Sequence, residues 1–581
     1  MTGFGAVPGV ARSDTLAERV AVWAGTRADD AAFTELAYRG TKCVPTTLTY
    51  GQLHRAAGEV AHRLRVATAP GDRVAILTAH GLDYVVAFLG CLYANRTAVP
   101  LFPVSGSRNT DRLDGVLADA EPSVSLLSAA DTVTEPAIGR ALGEILRLPD
   151  DLTQSTTTPV IDPIGSFPAY LQYTSGSTKA PAGVEVGHDH LAAALGQLWG
   201  AIPAIRDRPI VTWLPFFHDM GLVLALSMPL YSCVPGVTMA PMDFVKRPIR
   251  WLRACSDYRA GVTGSPNFGL ALAISATTPE ERAGLDLSGL DVLFNGAEPV
   301  RAEVLTEFTE TFAPSGFRHH AHTPGYGLAE ATLTVTVSVQ DAEPVTKRFD
   351  RGALTEGRAV ASDDDSVPAL PLVGCGAPAG QHVAVVDPAD RTEVAAGTVG
   401  EIWVSGPNVC GGYHANPAAT VETFAATLTG RTERWLRTGD LGFWHDGQLY
   451  VAGRLKDLIV IDGRNHYPAD IESTVASAAP EIRPGHITAF GTDDGQREDL
   501  VVIAELATDT AESAVLTDIA RRIRGAVATA HEVMPGSVVL VEPGRIPKTS
   551  SGKLRRTECR RLYNSGTLPR LLAVGKVPPA G

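Results

Sequence analysis

Tyr173-Thr-Ser-Gly-Ser-Thr-Lys-Ala-Pro-Ala-Gly-Val184 is the stretch on which the reading of this chain turns. Five small residues in a row, Thr174, Ser175, Gly176, Ser177 and Thr178, bring four hydroxyls and a pliable backbone, and Gly183 lies close by. Residues 168–173 ahead of them are short and apolar like a buried strand, and Gly183-Val-Glu-Val186 reads as another. A strand that breaks into a Gly/Ser/Thr loop makes an anion cradle: glycine lets backbone N–H groups turn inward, and hydroxyls donate to phosphate oxygens. The plainer alternative is a polar hairpin turn. The segments further along the chain decide between the two.

Outward from this loop, strands alternate with helices. Residues 14–66 read as helix, strand pair and helix, with Thr49 as N-cap of an Ala-rich helix running to about Arg65. Strands follow at 73–77, 98–102 and 124–128, with an apolar helix at 83–93 and a further helix near 135–147. This alternation predicts α/β layers around a parallel sheet. Residues 149–168, rich in Pro, Thr, Asp and Ser, form a surface connection into the loop. Residues 341–371 change character and read as an inserted, partly mobile excursion. From 372 to 453 the chain is strand-rich with regular turns, which suits a small β-barrel or sandwich. Charges cluster at 454–457 before an apolar run, so a domain junction is placed near Lys456. The remainder predicts a compact unit with helices at about 468–479 and 511–530. The expected fold is therefore α/β. Residues 1–455 form a large N-terminal domain of α/β sheet subdomains plus the small β-barrel, and 456–581 form a small α+β C-terminal domain.

Composition narrows the function classes. A chain of 581 residues is too long for one hydrophobic core. Hydrophobic residues make up 45% and charged residues 20%, a globular profile. The formal net charge of −14 argues against nonspecific binding to nucleic acid or acidic lipid, which needs a basic surface. Seven scattered cysteines without a Cys-x-x-Cys fit reduced thiols in a cytoplasm. The first residues lack a charged start and an apolar run, so no signal peptide is expected. Residues 221–242 carry no charge, but Pro229, Pro235 and Pro241 interrupt them, so buried core is expected there and no stable membrane insertion.

Several short segments carry chemistry. Val211-Thr-Trp-Leu-Pro-Phe-Phe-His-Asp-Met-Gly-Leu222 puts His218 and Asp219 at a strand end, fit for binding or proton chemistry, or simply for packing. Asp291-Val-Leu-Phe runs into Asn295-Gly-Ala-Glu-Pro299. In Thr323-Pro-Gly-Tyr-Gly-Leu-Ala-Glu330 the glycines allow close backbone approach, and Glu330 could ligate a hard cation or be solvated surface. Arg437-Thr-Gly-Asp440 precedes a hairpin, and Gly453-Arg-Leu-Lys-Asp457 follows it. Ile546-Pro-Lys-Thr-Ser-Ser-Gly-Lys-Leu-Arg-Arg556 is a basic, Gly/Ser-rich loop, or else a solvated tail. No Gly-x-x-x-x-Gly-Lys-[Ser/Thr], Gly-x-Gly-x-x-Gly or Gly-x-Ser-x-Gly occurs, which disfavours P-loop kinases, Rossmann dehydrogenases and serine hydrolases.

Taken in this order, from 50 to 556, the segments resemble the adenylate-forming superfamily of acyl-CoA ligases, nonribosomal adenylation domains and luciferases. The resemblance implies a large N-domain, a hinge and a small mobile C-domain. It also implies that a carboxylate and ATP give acyl-AMP and pyrophosphate, and that the acyl group then passes to a thiol. On that resemblance Thr174, Ser175, Gly176, Ser177 and Thr178 cradle the phosphates, and Glu330 with Thr178 holds Mg²⁺. Lys553 bridges the carboxylate and the α-phosphate, with His218 beside it as a catalytic candidate. Gly296, Ala297, Glu298, Tyr326 and Gly327 hold adenine, Asp440 and Arg454 hold the ribose, and Lys456 is the hinge.

Within the superfamily the chain looks like fatty acyl-AMP ligases. Ala182 follows Pro181 where a lysine is usual, and the resemblance rests further on residues 213–222, 326–332 and 462–472. That branch implies an insertion that restrains the C-domain and disfavours CoA, with a holo acyl carrier protein, or a carrier domain of a polyketide or nonribosomal peptide synthase, as acceptor. Residues 347–371 are the candidate insertion. Met220, Asn267 and Phe268 are candidate walls of a tunnel for a medium- or long-chain fatty acid. An acyl- or aryl-CoA ligase is the same-fold alternative, and a non-catalytic nucleotide-binding protein is the alternative from another class.

Overall fold

The structure is a computed structural model and describes residues 15–103, 110–129, 131, 142–173, 181–493, 498–508, 512–548 and 554–575. Its first helix pair is set by local chemistry. Thr49 caps the helix Tyr50–Ala67 as predicted, in a reciprocal capping box with Gln52: the Gln52 amide donates to Thr49 Oγ1 at 3.3 Å, and Gln52 Oε1 accepts from the Thr49 amide at 2.9 Å.

Two sheets form the body of the N-terminal region. The larger runs Lys42–Thr49, Ala31–Arg39, Gly236–Met239, Ile210–Thr212, Val262–Gly264, Val292–Asn295, His322–Gly327, Thr334–Val337, Ala377–Pro378. Its six central strands, Ala31–Arg39 to His322–Gly327, are mutually parallel, and antiparallel strands close the edges. The four innermost of these, Gly236–Met239, Ile210–Thr212, Val262–Gly264 and Val292–Asn295, are short and wholly buried, as a sheet covered on both faces requires. The second sheet runs Glu144–Arg147, Val124–Leu127, Arg73–Ile76, Thr97–Pro100, Tyr170–Tyr173, Gly183–Val186. It is parallel except for its last pair, where Tyr173 stands opposite Gly183.

Two expectations need correction here. Residues Glu144–Arg147, read as the end of a helix, are an edge strand parallel to Val124–Leu127. Their exposed ends and half-buried middle give an amphipathic pattern too short to tell the two states apart. The excursion after 341 is regular structure: Thr346–Asp350 and Ala369–Val373 pair as an antiparallel hairpin, with the helix Arg351–Thr355 between them.

The strand-rich part, including His382–Asp387, Gly400–Ser405, Arg434–His445 and Gln448–Arg454, forms an antiparallel six-stranded sheet. Beyond it, Ile482–Asp493, Glu498–Leu506, Ser537–Val541 and Leu572–Gly575 make a four-stranded sheet flanked by the helices Pro468–Ala478, Ser513–His531 and Arg556–Asn564. Two of these helices match expectation, and the third begins at Arg556, the last residue of the segment read as a basic loop. This unit has its own apolar core, in which Ile471, Val475, Ile519, Ile523, Val502 and Val538 pack with no trace of solvent exposure. A smaller cluster joins the regions: Phe349 and Leu354 of the hairpin segment pack with Phe443, Tyr450 and Tyr467.

Among the described residues no helix is long and apolar enough to cross a membrane. The 221–242 stretch is buried core, as expected, including a π-helix at Met220–Ser227. All seven cysteines are free thiols.

Candidate active site

Parallel sheets present their ligand sites beyond the carboxyl ends of the strands. Four of the sequence-predicted segments fall there. Ile210–Thr212 leads into Trp213 to Asp219, and Val262–Gly264 into Ser265 to Phe268. Val292–Asn295 leads into Gly296, Ala297 and Glu298, and His322–Gly327 carries Tyr326 at its end and Glu330 just past it. In the second sheet Tyr170–Tyr173 leads into residues 174–180. Thr174, Ser175, Gly176, Ser177 and Thr178 themselves lie outside the described residues, as does Lys553.

The flanks of the 174–180 segment are fixed to the rest of the site. The Gln172 side-chain amide donates to the Phe217 carbonyl at 2.9 Å, which ties the strand before the segment to the stretch bearing His218. After it, the Glu185 amide donates to the Gly412 carbonyl at 2.9 Å and the His414 amide to the Gly183 carbonyl at 2.7 Å. Between those contacts the Tyr413 hydroxyl donates to Glu330 Oε1 at 2.8 Å. The two ends of 174–180 therefore stand beside Glu330. Burial pushes the Glu330 carboxyl above the usual carboxylate range, with the Tyr413 hydroxyl pulling back. A half-buried carboxylate that accepts from the Tyr413 hydroxyl, near the flanks of residues 174–180, is of the kind that holds a hard cation, since Mg²⁺ is usually held by one or two carboxylates plus the nucleotide. Among the described residues no group of three or more His, Cys, Asp or Glu stands ready for a metal.

The second corner is built around Asp440, which is buried. The Tyr326 hydroxyl donates to Asp440 Oδ2 at 2.8 Å, and Arg454 Nε lies 3.0 Å from Asp440 Oδ1. Burial, then the Asp440 charge, raises the Tyr326 phenol well above its ordinary range, so it stays a donor. Asp440 holds the Arg454 guanidinium firmly charged. The turn that presents Asp440 is organised by Glu401, a carboxylate with 2% side-chain exposure. Glu401 accepts from the Gly439 amide at 3.1 Å, from the Trp403 indole at 2.9 Å and from Arg437 at 3.0 Å. Neither Glu401 nor Tyr413 was singled out in the sequence: each acts through a partner that only the fold brings near.

Backbone geometry shapes the third corner. Ala297 has a positive φ of 67°, a conformation that a side chain with Cβ rarely takes and that marks a built loop. A Cβ on Gly327 would lie 1.8 Å from the Leu333 carbonyl oxygen, so the chain can close on itself there only with glycine. Glu298 accepts from the Phe268 amide at 2.8 Å, which fastens this loop to the next.

The remaining predicted residues divide. His218 Nδ1 lies 2.6 Å from Asp219 Oδ1, and Asp219 also accepts from the Met220 amide at 2.7 Å, so the pair is rigid and half-buried at the strand end. A Cβ on Gly264 would lie 3.0 Å from Met220 Cε, so Met220 covers the end of that strand. Phe268 sits edge-on to Trp213 and remains 37% exposed. Asn267 spends its carboxamide inside the protein: it donates to the Pro299 carbonyl and accepts from Asn295 and the Arg301 amide, which ties the 295–301 loop. Lys456 lies in the turn after Gln448–Arg454; the residue is exposed overall, while partial burial of its ammonium, with Arg454 nearby, lowers its pKa. The 549–553 segment is pinched at its base, where Lys548 and Leu554 form a bridge. Lys548 is pulled to about 8, mainly by burial, while Glu298 of the 296–298 loop holds some of its charge.

Comparison with known proteins gives the same picture. Residues 20–414 match the AMP-binding enzyme family, and residues 456–571 match the AMP domain of Disco-interacting protein 2-like proteins. The 4-hydroxyphenylalkanoate adenylyltransferase of Mycobacterium marinum is 40% identical over 90% of this chain and 87% of its own length. The long-chain-fatty-acid–AMP ligase FadD26 of the same organism is 40% identical over 94% of this chain and 97% of its own. A Legionella pneumophila fatty acyl-adenylate ligase solved with acyl adenylate and pyrophosphate superposes with a TM-score of 0.73 at 33% identity, covering 97% of this chain and 98% of that one. The chain belongs to the AMP-binding family of adenylate-forming enzymes, in the company of fatty acyl-AMP ligases.

Proposed function

We propose that this enzyme activates a medium- or long-chain fatty acid with ATP and passes the acyl group to the phosphopantetheine thiol of an acyl carrier protein, or of a carrier domain in a polyketide or nonribosomal peptide synthase. The product would enter lipid, polyketide or lipopeptide assembly in the cytoplasm. The observation that carries this reading is the convergence of Tyr326, Asp440, Arg454 and Glu330 on one rim. The ligases and adenylyltransferases that share its sequence support it.

In the first step a carboxylate oxygen attacks the α-phosphorus of ATP and pyrophosphate leaves. Negative charge builds on the phosphate oxygens, so positioned donors lower the barrier. Residues 174–178 donate to the β- and γ-phosphates, and Lys553 meets the α-phosphate and the carboxylate. Asp440 accepts from the ribose hydroxyls beside Arg454, and the 296–298 loop with Tyr326 and Gly327 frames adenine. Glu330 and Thr178 would hold Mg²⁺, which would supply positive charge to the phosphates. His218, fixed by Asp219, stands on the acid side. In the second step a thiolate attacks the acyl carbonyl and the bond to AMP breaks. Lys456 is the pivot between the steps, and residues 456–581 are the moving unit.

Met220, packed on Gly264, and Phe268 beside Trp213 give the acid an apolar path, each buried CH₂ contributing about 0.8 kcal/mol. A hydroxamate-trapping screen over fatty acids of increasing length and a 4-hydroxyphenylalkanoate tests the reading, with CoA and a holo carrier as competing acceptors. Pyrophosphate release that depends on a fatty acid, with transfer to the carrier and little acyl-CoA, is expected. Preference for the aryl acid would move the substrate class, strong acyl-CoA formation would move the acceptor, and no pyrophosphate with any acid would end the proposal.

A further inference from the structure

A cavity of about 100 Å³ lies where the 455–457 turn meets the helix Arg556–Asn564, lined by Lys456, Asp457, Phe490, Arg556, Thr557 and Arg560. Its lining holds three cations and one carboxylate. Arg556 is neutralised already, with Nε and Nη2 at 2.9 and 2.7 Å from Glu472 and Nη1 at 3.7 Å from Asp457. Arg560 is different. Its guanidinium lies 5.7 Å from the centre of the Phe490 ring, and its Nε is buried without a hydrogen-bond partner. A buried donor left unmatched beside a cationic cavity costs free energy until an acceptor arrives.

The place of the cavity matters as much as its charge. Lys456 follows Arg454, the partner of Asp440, by two residues, and its ammonium feels both Asp440 and Glu330. The helix on the other wall begins directly after the 549–553 segment. The cavity therefore lies between the turn that follows the Asp440–Arg454 pair and the C-terminal helix. Phe490 adds an apolar wall beside the cations. A phosphopantetheine arm has this composition at one end: a phosphate followed at once by a carbon bearing two methyl groups.

We propose that this cavity binds the phosphate of the phosphopantetheine arm on the acyl acceptor, with Arg560 and Lys456 facing the phosphate and Phe490 facing the dimethyl carbon. This rests on the thiol-transfer step proposed above.

The test compares phosphopantetheine and pantetheine, which carry the same thiol, as acceptors for the full-length enzyme, with pyrophosphate release followed separately. The phosphate is expected to lower the acceptor KM roughly tenfold, as one charge-assisted contact does. Arg560→Gln should erase that preference and Arg560→Lys should keep most of it, with pyrophosphate release in both serving as the control for folding. Equal KM for the two acceptors in the wild type, or a preference that survives Arg560→Gln, overturns the proposal. So does relief of inhibition by inorganic pyrophosphate in Arg560→Gln with acceptor preference intact, because that assigns the cavity to the leaving group. Loss of fatty-acid-dependent pyrophosphate release in the wild type would instead sink the underlying function.

Discussion

Arg351 grips Asp470 with two donors: Nη2 lies 2.8 Å from Oδ1 and Nε 2.9 Å from Oδ2. One partner belongs to the hairpin segment 346–373 and the other to the helix Pro468–Ala478. Asp470 has 7% side-chain exposure and Arg351 21%, so the pair is largely out of water. Nearby, the Tyr467 hydroxyl donates to the Leu354 carbonyl at 3.4 Å, and Tyr467 packs with Phe349 and Leu354. A paired charge strands its partner when removed, which typically costs 3–5 kcal/mol for a buried pair. Arg351→Ala is expected to cost about 3 kcal/mol, at the low end because Arg351 keeps some solvent. A denaturant midpoint unchanged in this variant would show the contact to be idle. The same variant should form more acyl-CoA relative to acyl carrier, because the clasp no longer holds residues 456–581 against the hairpin.

Asp440 carries two partners at once, so its charge should be felt in nucleotide binding. Asp440→Asn keeps the shape and one acceptor oxygen but leaves Arg454 without its counter-charge. The KM for ATP should rise roughly tenfold, with the KM for the acid little changed, as for the loss of a charge-assisted hydrogen bond. Steady-state pyrophosphate release at varied ATP decides this, and an unchanged KM for ATP would remove Asp440 from the ribose site.

Lys553 acts on the first step alone in the proposed mechanism. Lys553→Ala should slow adenylate formation by about 10²–10³, the usual effect of deleting a preorganised charge at a developing anion. Transfer from acyl-AMP supplied ready-made should persist. If both half-reactions fall together, the lysine serves the architecture of the loop rather than the α-phosphate.

Glu330 makes a prediction in pH. Burial raises its folded pKa above the unfolded value, so the fold disfavours its ionised form. The penalty is absent below the unfolded pKa, grows as pH rises from there, and levels off above the folded pKa. In metal-free buffer Glu330→Gln should therefore melt higher than wild type at about pH 8 and show no such gain at about pH 4, where both side chains are neutral. Mg²⁺ with ATP should reverse the order at the higher pH, because only the carboxylate pairs with the cation. A Tm difference that ignores pH would place the carboxyl outside the buried environment described above.

Much of the frame was written into short stretches of the chain. Thr49 and Gln52 specify a helix start because both halves of the capping box lie within four residues. The apolar runs ahead of residues 174, 213 and 296 specify strands, and the turns after them lie at the carboxyl edges of their sheets because parallel strands all end there. The order of those segments was enough to name the superfamily.

The pairings were decided by tertiary structure. Tyr413 reaches Glu330 across 83 residues, Tyr326 reaches Asp440 across 114, and Arg351 reaches Asp470 across 119. A hydrogen bond between distant residues leaves no period, spacing or composition in the chain between them, so nothing local announces it. The same holds for Glu144–Arg147, whose state is set by the strand it lies against, and for the hairpin at 346–373, whose two arms pair with each other. The sequence on its own determined which chemistry-bearing segments are carried and where several elements begin. Folding determined which side chains share the carboxylates, because burial and long-range pairing are properties of the packed chain and not of any segment of it.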